Sequence, residues 1–109
     1  MGGLRHAFRN ERSFRTHVLF AALALIALIV LRPDFIWWAI IGFVAALVLC
    51  AELLNSAIEE LIDHLHPDMH ERVKAIKDMA AGAVLVAAFA ALWVGGILIV
   101  SVLSRGLPF

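Results

Sequence analysis

From Met79 to Leu103 the chain runs for 25 residues with Ser101 as the only polar side chain. As a helix rising about 1.5 Å per residue, this run can cross the roughly 30 Å hydrocarbon core of a bilayer with some tilt. A chain of 109 residues has no interior large enough to hide it, because 63% of the residues are hydrophobic and mean hydropathy is +0.95. Those values lie beyond a soluble domain of this size. Lipid must cover the excess, and a helix satisfies its own backbone there.

Two further apolar runs precede this one. Val18 to Leu31 is 14 residues, about 21 Å as a helix, so it must borrow flanking residues such as Arg15 to His17, or Arg32 by snorkelling. Arg32-Pro33-Asp34 reads as a tight turn, since Pro33 disfavours helix at Arg32 and can open the next helix. Phe35 to Cys50 is the second run, with Trp37 and Trp38 near its start as interfacial anchors or packing residues. Cys50 is the single cysteine, and its apolar setting predicts a buried, inert thiol.

The expected fold class is all-α, one integral membrane domain over residues 1–109. A basic amphipathic segment, 1–17, carries Arg5, Arg9, Arg12 and Arg15 against Glu11, with Leu4, Ala7, Phe8 and Phe14 at roughly helical spacing. Three spans follow at 18–31, 35–63 and 77–103, with a polar connection over 64–76. Gly82, Ala83, Ala87, Ala88, Ala90 and Ala91 give the last span small faces for close helix packing. Basic residues cluster in the N-terminal segment and in 64–78, while the 32–34 turn holds Arg32 alone and the tail Arg105 alone. The positive-inside rule then expects the N-terminus and the 64–78 connection in the cytoplasm and the C-terminus on the outer side.

Against that apolar background, Ala51 to Asp63 stands out. Glu52, Glu59 and Asp63, with the amide of Asn55, continue the second span at or near membrane depth. At about 100° per residue, Asn55 lies roughly 60° from Glu52 and Glu59 returns to within roughly 20° of it, giving one polar stripe. Such charges cost a few kcal/mol each near hydrocarbon and normally face a protein interior or a wet site. Glu11, Lys77 and Asp78 fall at the same interface.

A cytoplasm-facing site beside lipid has access to ATP and to lipid headgroups. Phosphoryl transfer needs Mg²⁺ held by carboxylates and phosphates, a cation on the phosphate oxygens, and a residue that deprotonates or orients the acceptor. Glu11 and Glu59 can supply metal ligands, Lys77 can pair with phosphates, and Glu52 can accept a proton from a lipid hydroxyl. Asn55, between the two carboxylates, can hold either the acceptor or Glu52. No Walker-type GxxxxGK[ST], no protein-kinase Gly-rich loop and no zinc-spaced Cys/His cluster is present. The alternative from another class is a non-catalytic oligomeric membrane scaffold, or a small ion or proton pathway, whose carboxylates glue or line the assembly.

Three stretches together resemble the prokaryotic diacylglycerol kinase family: Asn10-Glu-Arg-Ser-Phe-Arg-Thr-His17, Glu52-Leu-Leu-Asn-Ser-Ala-Ile-Glu59, and Lys77-Asp78-Met-Ala-Ala-Gly-Ala-Val-Leu85. The resemblance covers residues 3–103. It implies a homotrimeric helical bundle with active sites shared between subunits, in the bacterial inner membrane, that phosphorylates a lipid alcohol with MgATP. It implies Glu52 as the catalytic carboxylate and Glu11 and Glu59 as ligands of Mg²⁺ with ATP. Lys77 and Asp78 would contact the nucleotide, with Asp68, Met69 and His70 on its adenosine side. Arg5, Phe8, Phe14, Arg15 and Ala81 fall where lipid contacts are expected, and Asn55 and Asp63 match supporting positions. The family usually has a further surface helix that would precede Gly3, which leaves a truncated chain, a misassigned start, or a site that works with less all open. His17 stands where well-studied Gram-negative diacylglycerol kinases carry a glutamate. The motifs look more like the undecaprenol-kinase branch, which leaves diacylglycerol and undecaprenol both open as substrate.

Overall fold

The computed structural model of the chain describes residues 2–65 and 71–105. Four helices follow one another: α1 (Gly2–Asn10), α2 (Arg12–Leu31), α3 (Phe35–Leu65) and α4 (Glu71–Ser104). Three of them, α2, α3 and α4, are long and apolar enough to cross a membrane.

The basic N-terminal segment is two helices rather than one. Glu11 adopts an extended backbone, φ −114° and ψ 109°, and stands at the N-cap of α2 without a side-chain cap bond. The short apolar run 18–31 thereby gains Arg12 to His17, and the resulting 20-residue helix reaches about 30 Å. Arg15 fixes the bend: its Nη1 donates to the carbonyls of Phe8 and Arg9, at 2.9 Å each. These are carbonyls at the end of α1 that have no acceptor role within the helix.

At the other end of α2, Arg32 is left-handed, φ 50° and ψ 53°, and its N–H closes on the Leu28 carbonyl at 2.9 Å. The last helix begins at Glu71, six residues before Lys77, so part of the 64–76 connection is helical. Glu71, Arg72 and Lys74 are good helix formers, and an acid in the first turn favours the helix dipole.

The three long helices pack through stripes spaced alternately three and four residues apart. On α2 the covered positions are Phe14, His17, Ala21, Ala24, Leu28 and Leu31. On α3 they are Ile41, Ala45, Val48, Glu52, Asn55, Glu59 and Ile62. On α4 they are Val73, Lys77, Ala80, Val84, Ala87, Ala91, Val94 and Leu98. This is the seam of helices lying nearly antiparallel, and α3 packs most extensively on α4, then on α2.

One end of the bundle is purely apolar. Leu28, Leu98 and Val102 form its core, flanked by Leu31, Trp37, Trp38 and Ile41. Trp37 and Trp38 are therefore packing residues here, whereas Trp93 is 72% exposed. Elsewhere the apolar spans face outward, with only 11% of each span's most apolar window buried, so lipid or other subunits must cover them. Cys50 departs from its expected burial: it points outward from α3 and is exposed in the single chain. Its position is off the inner stripe, which runs through Val48 and Glu52.

Candidate active site

The polar residues gather at the end of the bundle opposite the tryptophans because the packing stripes themselves turn polar there. The stripe of α3 passes from Val48 to Glu52, Asn55 and Glu59; that of α2 opens with Phe14 and His17; that of α4 includes Lys77. Side chains that would be leucines in an ordinary seam are thus acids, an amide, an imidazole and an amine facing one another.

Glu52 is the one charged side chain buried among the described residues, at 4% exposure. Its Oε2 lies 3.5 Å from Nδ1 of His17, which projects from α2. The same Nδ1 lies 2.8 Å from the carbonyl oxygen of Ser13 one turn back. The charged groups close enough to act on Glu52 are His17, Glu59 and Glu11. Two carboxylates of α3 and that of Glu11, at the N-cap of α2, therefore bear on one another, with the His17 imidazole beside Glu52.

One turn along, Asn55 donates from Nδ2 to Oε1 of Glu59 at 3.2 Å. Its other polar atom, Oδ1, is buried without a hydrogen-bond partner. A buried acceptor left unmade costs about 1–3 kcal/mol. Lys77 reaches across to Oδ1 of Asp63 at 2.6 Å and ties α4 to α3. Asp78 is exposed beside it, as is Ala81 one turn further along α4.

The surface helix contributes a groove with α2, lined by Leu4, Arg5, Phe8, Arg9 and Phe14. His6 Nε2 approaches Oε2 of Glu60 at 3.4 Å, which holds α1 near α3. Arg15, expected at a lipid, is exposed and gives its Nη1 to the α1 carbonyls. Asp68, Met69 and His70 lie outside the described residues.

No three His, Cys, Asp or Glu side chains converge on one point among the described residues. Reading the sequence by residue type missed the His17–Glu52 contact and the capping role of Arg15. The first was within reach, because Phe14, His17 and Ala21 fall on one face at steps of three and four.

The family model for prokaryotic diacylglycerol kinase matches residues 1–99. The chain belongs to the prokaryotic diacylglycerol kinase family. Among relatives within it, the diacylglycerol kinase of Synechocystis is 40% identical over 98 residues, 89% of this chain and 56% of that protein. The diacylglycerol kinase of Helicobacter pylori is 33% identical over 84 residues, 77% of this chain and 66% of its own length. The undecaprenol kinase of Bacillus subtilis is 38% identical over 84 residues, 77% of this chain and 68% of the relative. The chain thus spans little more than half of the Synechocystis relative and just under two thirds of the Helicobacter one. Family members carrying two different lipid names match it at similar identity.

Proposed function

We propose that this family member transfers the γ-phosphoryl group of ATP to the hydroxyl of a membrane lipid alcohol. The observation that carries the reading is the burial of Glu52 on a packing seam, with an imidazole at its carboxylate and two further acids near it. A desolvated carboxylate is costly where a leucine would pack better, and charges kept at such a cost are commonly functional.

Glu52 takes the proton of the acceptor hydroxyl as that oxygen bonds to the γ-phosphorus. The bond from phosphorus to the β–γ bridging oxygen breaks, ADP departs, and the product is a lipid phosphate. Lys77 exchanges Asp63 for phosphate oxygens when ATP binds, and Asp78 stands beside it to orient the nucleotide. The family resemblance implies Asp68, Met69 and His70 as contacts of the adenosine. The lipid enters along the groove of Leu4, Arg5, Phe8 and Phe14, with Ala81 and Arg15 at its border.

The donor set fits a magnesium ion. Mg²⁺ takes hard oxygen ligands, keeps several waters, and needs only one or two carboxylates when phosphates complete its shell. The Glu59 carboxylate and the orphaned Asn55 Oδ1 beside it are such donors, and Glu11 supplies a second carboxylate. When bound, the ion neutralises charge developing on the transferred phosphate. The outward apolar faces leave surface for further subunits, and the family resemblance implies a homotrimer whose sites are completed between them. The polar end then faces the cytoplasm of a bacterial inner membrane, where ATP is, with the C-terminus on the other side.

The test is ATP consumption by the purified chain in lipid micelles with diacylglycerol and undecaprenol side by side. ADP release driven by at least one of them, with recovery of the matching lipid phosphate, is expected. No turnover with either would favour the scaffold or ion-pathway reading.

A further inference from the structure

We infer that His17 is a positioning residue for Glu52, acting through the contact at its Nδ1 edge. This rests on the proposed role of Glu52 as the base, and it adds a residue that the reading itself does not require.

Three observations carry the inference. First, the ring's tautomer is fixed by its neighbours. A backbone carbonyl only accepts, so with Nδ1 at 2.8 Å from Ser13 O, the Nδ1 atom holds the hydrogen. Second, the same Nδ1 lies 3.5 Å from Oε2 of Glu52, long for a hydrogen bond but within ion-pair range. His17 is the one side chain among the described residues that comes within polar contact of this carboxylate. Third, the pair is shielded: the side chains of His17 and Glu52 are 23% and 6% exposed, so water competes weakly for the carboxylate.

The physical consequence is orientation. A carboxylate with no partner is free to rotate about its terminal torsion, and its two oxygens are equivalent. A ring held to the α2 backbone with its Nδ1 edge against Oε2 restricts that rotation. A base presented in one orientation lies nearer its reacting geometry. The effect belongs to the proton-transfer step and leaves nucleotide binding alone.

Side-chain topology supplies a sharp test. In His17→Asn the amide nitrogen is bonded to Cγ, as Nδ1 is, and can donate to both the Ser13 carbonyl and Glu52. In His17→Gln the amide nitrogen sits one bond further out, where Nε2 stands. A proton relay through Nε2 would be better mimicked by the second variant, and a positioning contact through Nδ1 by the first.

The experiment measures kcat and the KM for MgATP with the lipid alcohol that supports turnover, for wild type, His17→Ala, His17→Asn, His17→Gln and Glu52→Gln. The His17→Ala and His17→Gln variants are expected to lose about tenfold in kcat at unchanged KM for MgATP. His17→Asn should stay within about twofold of wild type, which also shows that the site tolerates substitution and remains folded. Wild-type kcat in His17→Ala overturns the inference, as does a His17→Asn variant no better than His17→Ala, or a loss confined to KM. Turnover by Glu52→Gln would instead remove Glu52 as the base and take this inference with it. A dead Glu52→Gln beside an unaffected His17→Ala rejects the positioning role alone.

Discussion

Lys77 Nζ lies 2.6 Å from Oδ1 of Asp63, joining the start of α4 to the end of α3. The pair is open to water, with the Asp63 side chain 64% exposed and that of Lys77 28%. An ion pair of this kind contributes no more than about 1 kcal/mol to stability. Its significance is placement: it stations a cation on the inner seam while no phosphate is present. Lys77→Met should therefore reduce kcat/KM for MgATP at least about tenfold, whereas Asp63→Asn should stay within about threefold. Steady-state kinetics over an ATP series checks this, and the reverse order would make Asp63 the functional member.

The Asn55–Glu59 contact predicts a separation of stability from metal dependence. Asn55→Leu removes one hydrogen bond to Glu59, but it also removes a buried acceptor that has no partner. The two effects nearly offset, so thermal unfolding in detergent should shift by less than about 1 kcal/mol equivalent. If Oδ1 serves the ion, the Mg²⁺ concentration for half-maximal activity rises severalfold in the same variant. A Mg²⁺ titration that superimposes on wild type would show that the orphaned oxygen faces something else.

Arg15 predicts a local effect at α1. Its single Nη1 bridges the carbonyls of Phe8 and Arg9. Charge-assisted bonds of this type are worth about 1.5–3 kcal/mol when sheltered and less here, where Arg15 is exposed. Arg15→Ala should speed amide exchange of residues in α1 by about tenfold while leaving α3 and α4 unchanged. With α1 loosened, the KM for lipid should rise more than that for ATP. Uniform exchange across all four helices would contradict a capping role.

The spans were legible because apolar runs longer than a soluble core can bury leave few alternatives, and the polar stripe on α3 because its 3.6-residue geometry is local. The break at Glu11 was not legible. Glutamate is a poor N-cap signal beside Ser, Thr, Asp or Asn, and what holds the bend is Arg15 folding back on carbonyls. The start of α4 at Glu71 was hidden by its charges, which read as loop next to an apolar span although they are good helix formers. The outward turn of Cys50 and the meeting of His17 with Glu52 depend on how α2 and α3 rotate against each other. Each residue's immediate neighbours say nothing about that rotation.

Arg32 offers a test at the opposite end of the bundle. It is the only non-glycine residue with positive φ among those described, and it precedes Pro33. A left-handed conformation costs an L-residue with a side chain about 1–2 kcal/mol. Arg32→Gly should raise the thermal midpoint by a few degrees with turnover unchanged, since the residue lies beside the Leu28 and Trp37 end of the molecule. A lower midpoint would mean that the side chain contributes more than its backbone strain removes.

The most direct measurement is transfer of labelled γ-phosphate from ATP to the lipid alcohol by Glu52→Gln, made alongside wild type and alongside ATP binding by both proteins. The substitution keeps the size of the side chain and removes its capacity to take a proton. A loss of at least about a thousandfold in transfer with nucleotide binding retained is the predicted result. Transfer within a few fold of wild type would show that the buried carboxylate is not the base, and the account of this site would fail.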